Sequence, residues 1–189
     1  MPRPATLPTV NWQAVFDSGL SYLAWLAAAE SPEQRGKIET QHRALTLDPP
    51  TVSVLAALPR PVHVIAIAED WCGDVVRHVP VLQRLAEAGP KLEVRYISRM
   101  QHPEVFSRFL TNGGEAIPKF IFLSDRFVEC GNWGPMPERC KDLIARGKAC
   151  GDVAAARKKV SALYDQDTAC REVIAELMRL VDIVNSREP

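Results

Sequence analysis

Val62-His63-Val64-Ile65-Ala66-Ile67-Ala68 is an almost unbroken apolar run rich in β-branched residues, the pattern of a strand buried on both faces. Beyond Glu69-Asp70-Trp71, apolar residues recur every three or four positions at Val75, Val76, Val79, Leu82, Leu85 and Ala86. That spacing predicts a helix from Cys72 to about Ala88. Pro80 lies in its interior, where a proline removes the bond to the Val76 carbonyl and costs about 3 kcal/mol unless the helix kinks. Gly89-Pro90 ends it, and Leu92 to Ile97 reads as a second, more polar strand. A strand, helix and strand of these lengths predict a parallel pair with a right-handed crossover. Pro103 to Leu110 then reads as a helix ended by Asn112-Gly113-Gly114. Lys119–Leu123 and Phe127–Cys130 flank Ser124-Asp125-Arg126, which predicts a hairpin. Gly131 to Pro137 reads as a loop, followed by helices over about 137–146, 152–164 and 168–185. The last carries an apolar stripe of Val173, Ile174, Leu177, Leu180, Val181 and Val184.

Upstream, residues 1–10 contain three prolines and read as a loose arm. Trp12, Val15, Phe16, Gly19, Leu20, Leu23 and Leu26 share one face of an amphipathic helix expected over 11–29. Ser31-Pro32-Glu33-Gln34 has the marks of a capped start, giving a second helix to about Leu45. Thr51 to Leu58 fits a short helix or a strand, and Thr51 as a cap favours a third helix, before the break at Pro59-Arg60-Pro61. The chain thus divides into an N-terminal helical extension (1–60), an α/β core (61–146) and C-terminal helices (147–189), all in one globular unit.

The stretch from Leu20 to Ala29 ends in three alanines like a signal sequence. Its amphipathic spacing, and Asp17 where basic residues are expected, favour the helix. No apolar run approaches the ~20 residues that span a bilayer, and the expected location is the cytoplasm. With 23 basic and 23 acidic residues among 189, the formal charge is zero. No basic stripe points to nucleic acid and no polybasic segment to a membrane. Cys72, Cys130, Cys140, Cys150 and Cys170 are too few and too irregular for a disulfide scaffold, and without Cys-x-x-Cys or His-x-x-x-His spacing no metal is expected. An odd count fits a reducing compartment.

The chemistry converges on Cys72. A cysteine where a strand passes straight into a helix meets free N–H groups and the positive end of the macrodipole, which favour a thiolate. An ordinary thiol with a pKa of about 8.5 is roughly 3% ionised at pH 7; a pKa of about 7 makes that half. The alternative is a small apolar residue packed at a strand end. Asp74 opposes activation, because a nearby carboxylate raises a thiol pKa. It reads as a first-turn acid pairing with Arg77 or His78, or as an assisting base or polar substrate contact. His63 reads as a hydrogen-bonded core histidine, and the other four cysteines as packing residues.

This order of elements, with Trp-Cys-Gly at the first core helix, resembles the thioredoxin fold: a four-stranded mixed central sheet flanked by helices, here with extra N- and C-terminal helices. Trp71 and Cys72 match that family's aromatic residue and attacking cysteine, and Pro80 its kinking proline. Ile117-Pro118 matches its cis-proline, which faces the cysteine. The blocks Asp70-Trp71-Cys72-Gly73-Asp74, Leu110-Thr111-Asn112-Gly113, Ile117-Pro118-Lys119-Phe120 and Trp133-Gly134-Pro135 are similar to those of a bacterial thioredoxin-family subgroup with a single active-site cysteine. Two departures bear on chemistry. Val75 stands where thioredoxins carry the second cysteine, and Ala66 where they usually carry a buried acid.

The resemblance therefore implies monothiol chemistry without a resident cofactor. Cys72 attacks a disulfide or thiol adduct, and glutathione or another small thiol resolves the product. Trp71, Gly73, Ile117, Pro118 and Trp133 form the expected substrate surface, assisted by Asp74 and Lys119, with a disulfide-containing protein or small thiol as partner. A homodimer is a further expectation if the C-terminal apolar face is not covered by the sheet. The rival readings are a redox-inactive module that docks a partner through Trp71, Ile117, Pro118 and Trp133, and a thiol peroxidase or sensor that forms a sulfenic acid at Cys72.

Overall fold

The computed structural model describes residues 7–187. The architecture is α/β, with helices flanking a mixed four-stranded sheet of order β2-β1-β3-β4. Strands β1 (Val62–Ile67) and β3 (Lys119–Leu123) are central and wholly buried, which is why both read as continuous apolar runs. Strand β2 (Leu92–Ile97) lies parallel to β1, with Val64 opposite Val94. Strand β3 runs antiparallel to β1, with Ile65 opposite Ile121, and pairs antiparallel with β4 (Glu129–Trp133). Helix α5 (Gly73–Ala88) makes the crossover and buries Val75, Val79, Leu82 and Leu85 together with Pro80. One hydrophobic cluster runs through the chain from Val15 to Val184.

The N-terminal region departs from the single helix expected over 11–29. Helices α1 (Trp12–Asp17) and α2 (Tyr22–Ala27) are separated at Gly19-Leu20. The Leu20 N–H donates to the Tyr96 carbonyl and the Tyr96 N–H to Leu20, both at 2.9 Å. The break thus satisfies backbone groups on the outer edge of β2, which helical periodicity does not register. Gly19 permits the approach, since a Cβ there would lie 2.7 Å from the Arg95 Cβ. Of the arm expected at 1–10, residues 1–6 lie outside the described residues.

Helix α3 (Pro32–Ala44) starts at the Ser31 cap, as expected. Helix α4 (Pro49–Ala56) starts earlier than expected, because Asp48 rather than Thr51 is its cap and both prolines occupy the opening positions that need no N–H partner. After the short α6 (Pro103–Phe106), the hairpin is also shifted. Ser124 to Phe127 forms the turn, with Phe127 at φ 56°, so the residues expected as loop at 131–133 are paired in β4. Helix α7 (Glu138–Cys150) continues past 146 and ends at Gly151, whose φ is 79°. Gly147 lies inside it, where a Cβ would meet the Ala156 Cβ of α8 (Val153–Gln166) at 2.5 Å. Helix α9 (Arg171–Asn185) buries Val173, Leu177, Leu180, Val181 and Val184, and packs on α5 and on strands β1, β3 and β4. Its apolar stripe is therefore covered within the chain. Among the described residues no helix is long and apolar enough to cross a membrane.

Candidate active site

Cys72 is the N-cap of α5, in extended backbone conformation (φ −87°, ψ 127°). It is half-buried between exposed Trp71 and exposed Gly73. Its Sγ lies 3.4 Å from the Ile117 carbonyl oxygen, to which it donates, and the Ile117–Pro118 bond is cis. The two sequence blocks are thus brought into contact across 45 residues. Ile117 and Pro118 are themselves buried, so of the expected substrate surface Trp71 and Gly73 face outward. The Arg99 guanidinium lies 5.2 Å over the Trp71 ring. Arg99 also pairs with Glu69 at 2.9 Å and with Glu115 at 3.2 Å. A cavity of about 520 Å³ opens beside Trp71, with Trp25, Asp70, Tyr96 and Arg99 in its lining.

The electrostatics run against the expectation of an easily ionised sulfur. Burial pushes the Cys72 thiol above its ordinary pKa; the N–H groups of Val75 and Asp74 at the helix start pull it down, and the Asp74 and Glu69 carboxylates push it up again. The helix terminus does act on the sulfur, but desolvation of the thiolate outweighs it. Strand-to-helix spacing in the sequence registers the dipole and carries no information on this burial.

Of its two expected partners, Asp74 lies near His78 but takes its hydrogen bond from Tyr164. Its Oδ1 accepts a hydrogen bond from the Tyr164 hydroxyl at 2.9 Å, while burial raises its pKa. His78 Nε2 lies 3.9 Å from that oxygen and 3.2 Å from the Tyr164 hydroxyl. Burial, chiefly, and then Arg77 push the His78 pKa down to about 3, so the ring is neutral at pH 7. Arg77 bonds instead to the Tyr164 and Asp167 carbonyls, at 2.9 and 2.6 Å, with its guanidinium 4.3 Å from the Tyr164 ring centre. Tyr164 is the residue that sequence reasoning missed. It sits on a predicted helix beyond the core, and no spacing links it to Asp74.

Lys119 and Trp133 occupy structural positions. Lys119 is buried at the start of β3 and its Nζ donates to the Gly134 carbonyl at 2.7 Å. Burial, followed by Lys141, lowers its pKa to about 8. The Trp133 ring is buried, stacks on Phe120 at 5.3 Å and donates through Nε1 to Glu176. It offers no exposed docking face, because Trp133 belongs to β4, opposite Phe120, and not to a loop. Gly134, at φ 118°, packs so tightly that a Cβ there would lie 2.1 Å from the Pro118 carbonyl oxygen. The Ile-Pro-Lys-Phe and Trp-Gly-Pro blocks are therefore one cross-strand unit.

His63 is a core residue, with Nδ1 3.1 Å from the Ser124 carbonyl oxygen and its ring stacked on Phe127 at 4.3 Å. All five cysteines are free thiols. Val75 and Ala66 are fully buried where thioredoxins carry a second thiol and an acid. Among the described residues no group of three or more His, Cys, Asp or Glu side chains is placed to hold a metal.

The comparisons with known proteins agree with this fold. A protein of unknown function from Pseudomonas aeruginosa superposes with a TM-score of 0.71 at 17% identity, over 92% of this chain and 98% of its own. An HIV epitope-scaffold superposes with a TM-score of 0.69 at 16% identity, over the same shares of each chain, 92% and 98%. At these identities the likeness is one of fold. No curated protein matches the sequence. The family model described as thioredoxin matches residues 20–156, a span that holds the whole sheet, Cys72 and the Ile117–Pro118 corner but not Tyr164, and on that match the chain belongs to the thioredoxin family.

Proposed function

We propose that the protein is a single-thiol disulfide-exchange protein acting through Cys72. The Cys72 thiolate attacks one sulfur of a disulfide, forming a Cys72 mixed disulfide and expelling the other sulfur as a thiolate. An external thiolate, from glutathione or a similar small thiol, then attacks the substrate sulfur and releases Cys72, which takes up a proton. The observation that carries this reading is the half-exposed Cys72 Sγ lying 3.4 Å from the Ile117 carbonyl oxygen, beside Pro118. The co-substrate is a soluble thiol of a reducing compartment such as the cytoplasm, and the partner a disulfide-containing protein or small molecule.

The raised thiol pKa slows this chemistry without preventing it. Each unit of rise cuts the thiolate fraction about tenfold, but the more basic thiolate is the better nucleophile. With a Brønsted coefficient of about 0.4–0.5, the net loss is about threefold per unit. A high-pKa thiol is also a poor leaving group, so a Cys72 mixed disulfide is long-lived and, with Val75 in place of a second thiol, waits for an external one. The same raised pKa favours a second reading, a redox-inactive module that docks partners around Trp71. Turnover separates the two. With hydroxyethyl disulfide as substrate and reduced glutathione as reductant, the wild type is expected to exceed the uncatalysed rate, and Cys72→Ser to fall to it. Equal rates for the two proteins would favour the docking module.

A further inference from the structure

We propose that Tyr164 is a positioning residue for Cys72: its hydroxyl holds the Asp74 carboxylate in the helical turn that Cys72 caps, so that helix α8, most of which lies beyond the family-matched span, is part of the site. The inference deepens the exchange reading, and rests on it only for what the coupling does to a mixed disulfide.

The arrangement follows from donor and acceptor chemistry. A phenol has one hydrogen to donate, and the 2.9 Å bond to Asp74 Oδ1 uses it. The Tyr164 oxygen is then free to accept from His78 Nε2 at 3.2 Å, which assigns the Nε2–H tautomer to this buried, neutral ring. His78 Nδ1, which has no partner among the described residues, is then the unprotonated nitrogen, so neither the phenol nor the imidazole leaves a donor unmet. Arg77 fixes the far side of the tyrosine by stacking on its ring and bonding the Tyr164 and Asp167 carbonyls. His78 Nε2 and the Arg77 guanidinium thus hold the phenol toward Asp74.

The consequence reaches Cys72 because Asp74 is two residues along the same helical turn. Its backbone N–H favours the thiolate while its carboxylate opposes ionisation there. The charged and titratable groups facing this pair are Glu69 from the lead-in loop, Arg77 and His78 on α5, Cys140 on α7 and Tyr164 on α8. Glu172 and Glu176 on α9 and Arg139 on α7 act in turn on Cys140. The Asp74 side chain is 26% exposed, so without the phenol it has a path to water, where its effect on the sulfur is screened. Tyr164 thereby adds, through Asp74, to the burial that disfavours the Cys72 thiolate and slows the breaking of its mixed disulfide.

The test is the pH dependence of Cys72 alkylation by iodoacetamide, read at the peptide level, in wild type, Asp74→Asn, Tyr164→Phe and the double variant. Asp74→Asn removes the charge and Tyr164→Phe releases it. Each is expected to shift the profile to lower pH and raise the rate at pH 7 about threefold to tenfold. The double variant is expected to match Asp74→Asn alone, because Tyr164 acts only through Asp74. A Tyr164→Phe profile equal to that of the wild type overturns the proposal, and so does an equal gain on the Asp74→Asn background.

Phenylalanine keeps the ring under Arg77 and leaves the carbonyl bonds intact, so α8 stays docked. A measurement on the unmodified protein stands beside it. The Tyr164 hydroxyl proton is expected as a slowly exchanging NMR resonance, and its absence contradicts the bond. Alkylation requires no disulfide exchange. A wild type without turnover therefore defeats the exchange reading alone, and an unchanged Tyr164→Phe profile defeats this one alone.

Discussion

Gly134→Ala is expected to destabilise the protein by about 3–5 kcal/mol and to pull Ile117 away from Cys72. The added Cβ would lie 2.1 Å from the Pro118 carbonyl oxygen and 3.0 Å from its carbon. Both are backbone atoms, so no side-chain rotation relieves the overlap. The φ of 118° is itself unfavourable for alanine, at about 1–3 kcal/mol, and displacement of the Pro118 segment adds to it. The Lys119 bond to the Gly134 carbonyl is strained by the same movement. For a chain of this length the melting temperature should fall by roughly 6–20 °C, and melting within about 2 °C of the wild type would contradict this.

Val75→Cys is expected to convert the single-thiol site into one that resolves its own adducts. Val75 is fully buried in the first turn of α5, and its N–H favours the Cys72 thiolate. Residues three apart on a helix fall within the Cα separation of about 4.4–6.8 Å that a disulfide spans. A second thiol held there acts at an effective concentration of millimolar or above, so the lifetime of a Cys72 mixed disulfide should drop at least about tenfold. Loss of the valine methyls costs about 1 kcal/mol. Quenched time points resolved by mass spectrometry measure the lifetime, and an adduct as persistent as in the wild type would show that position 75 cannot reach the sulfur.

The core of the fold was legible because its signals are local. The Val62–Ala68 run, the 3.6-residue spacing after Cys72 and the Lys119–Leu123 run each place an element within a residue or two of where it lies. Some boundaries moved for local reasons, as where Asp48 caps α4, but the larger misreadings were decided by distant partners. Leu20 leaves its helix to bond Tyr96, and Trp133 extends β4 because Phe120 lies opposite.

The site divides along the same line. The contact between Cys72 and Ile117–Pro118 was expected from the resemblance, and the helix N-terminus from spacing. The burial that raises the thiol pKa, the docking of Lys119 onto Gly134 and the capture of Asp74 by Tyr164 depend on which surfaces meet in three dimensions. Local sequence carries no signal for any of them.

The central claim is that Cys72 is the thiol that exchanges with disulfides. It is tested most directly by incubating the protein with oxidised glutathione and mapping adducts by intact mass and peptide analysis. The account predicts one long-lived glutathione adduct on Cys72, absent from Cys72→Ser and removed by reduced glutathione. An unmodified Cys72 in a protein that carries its adduct on exposed Cys150 would contradict it.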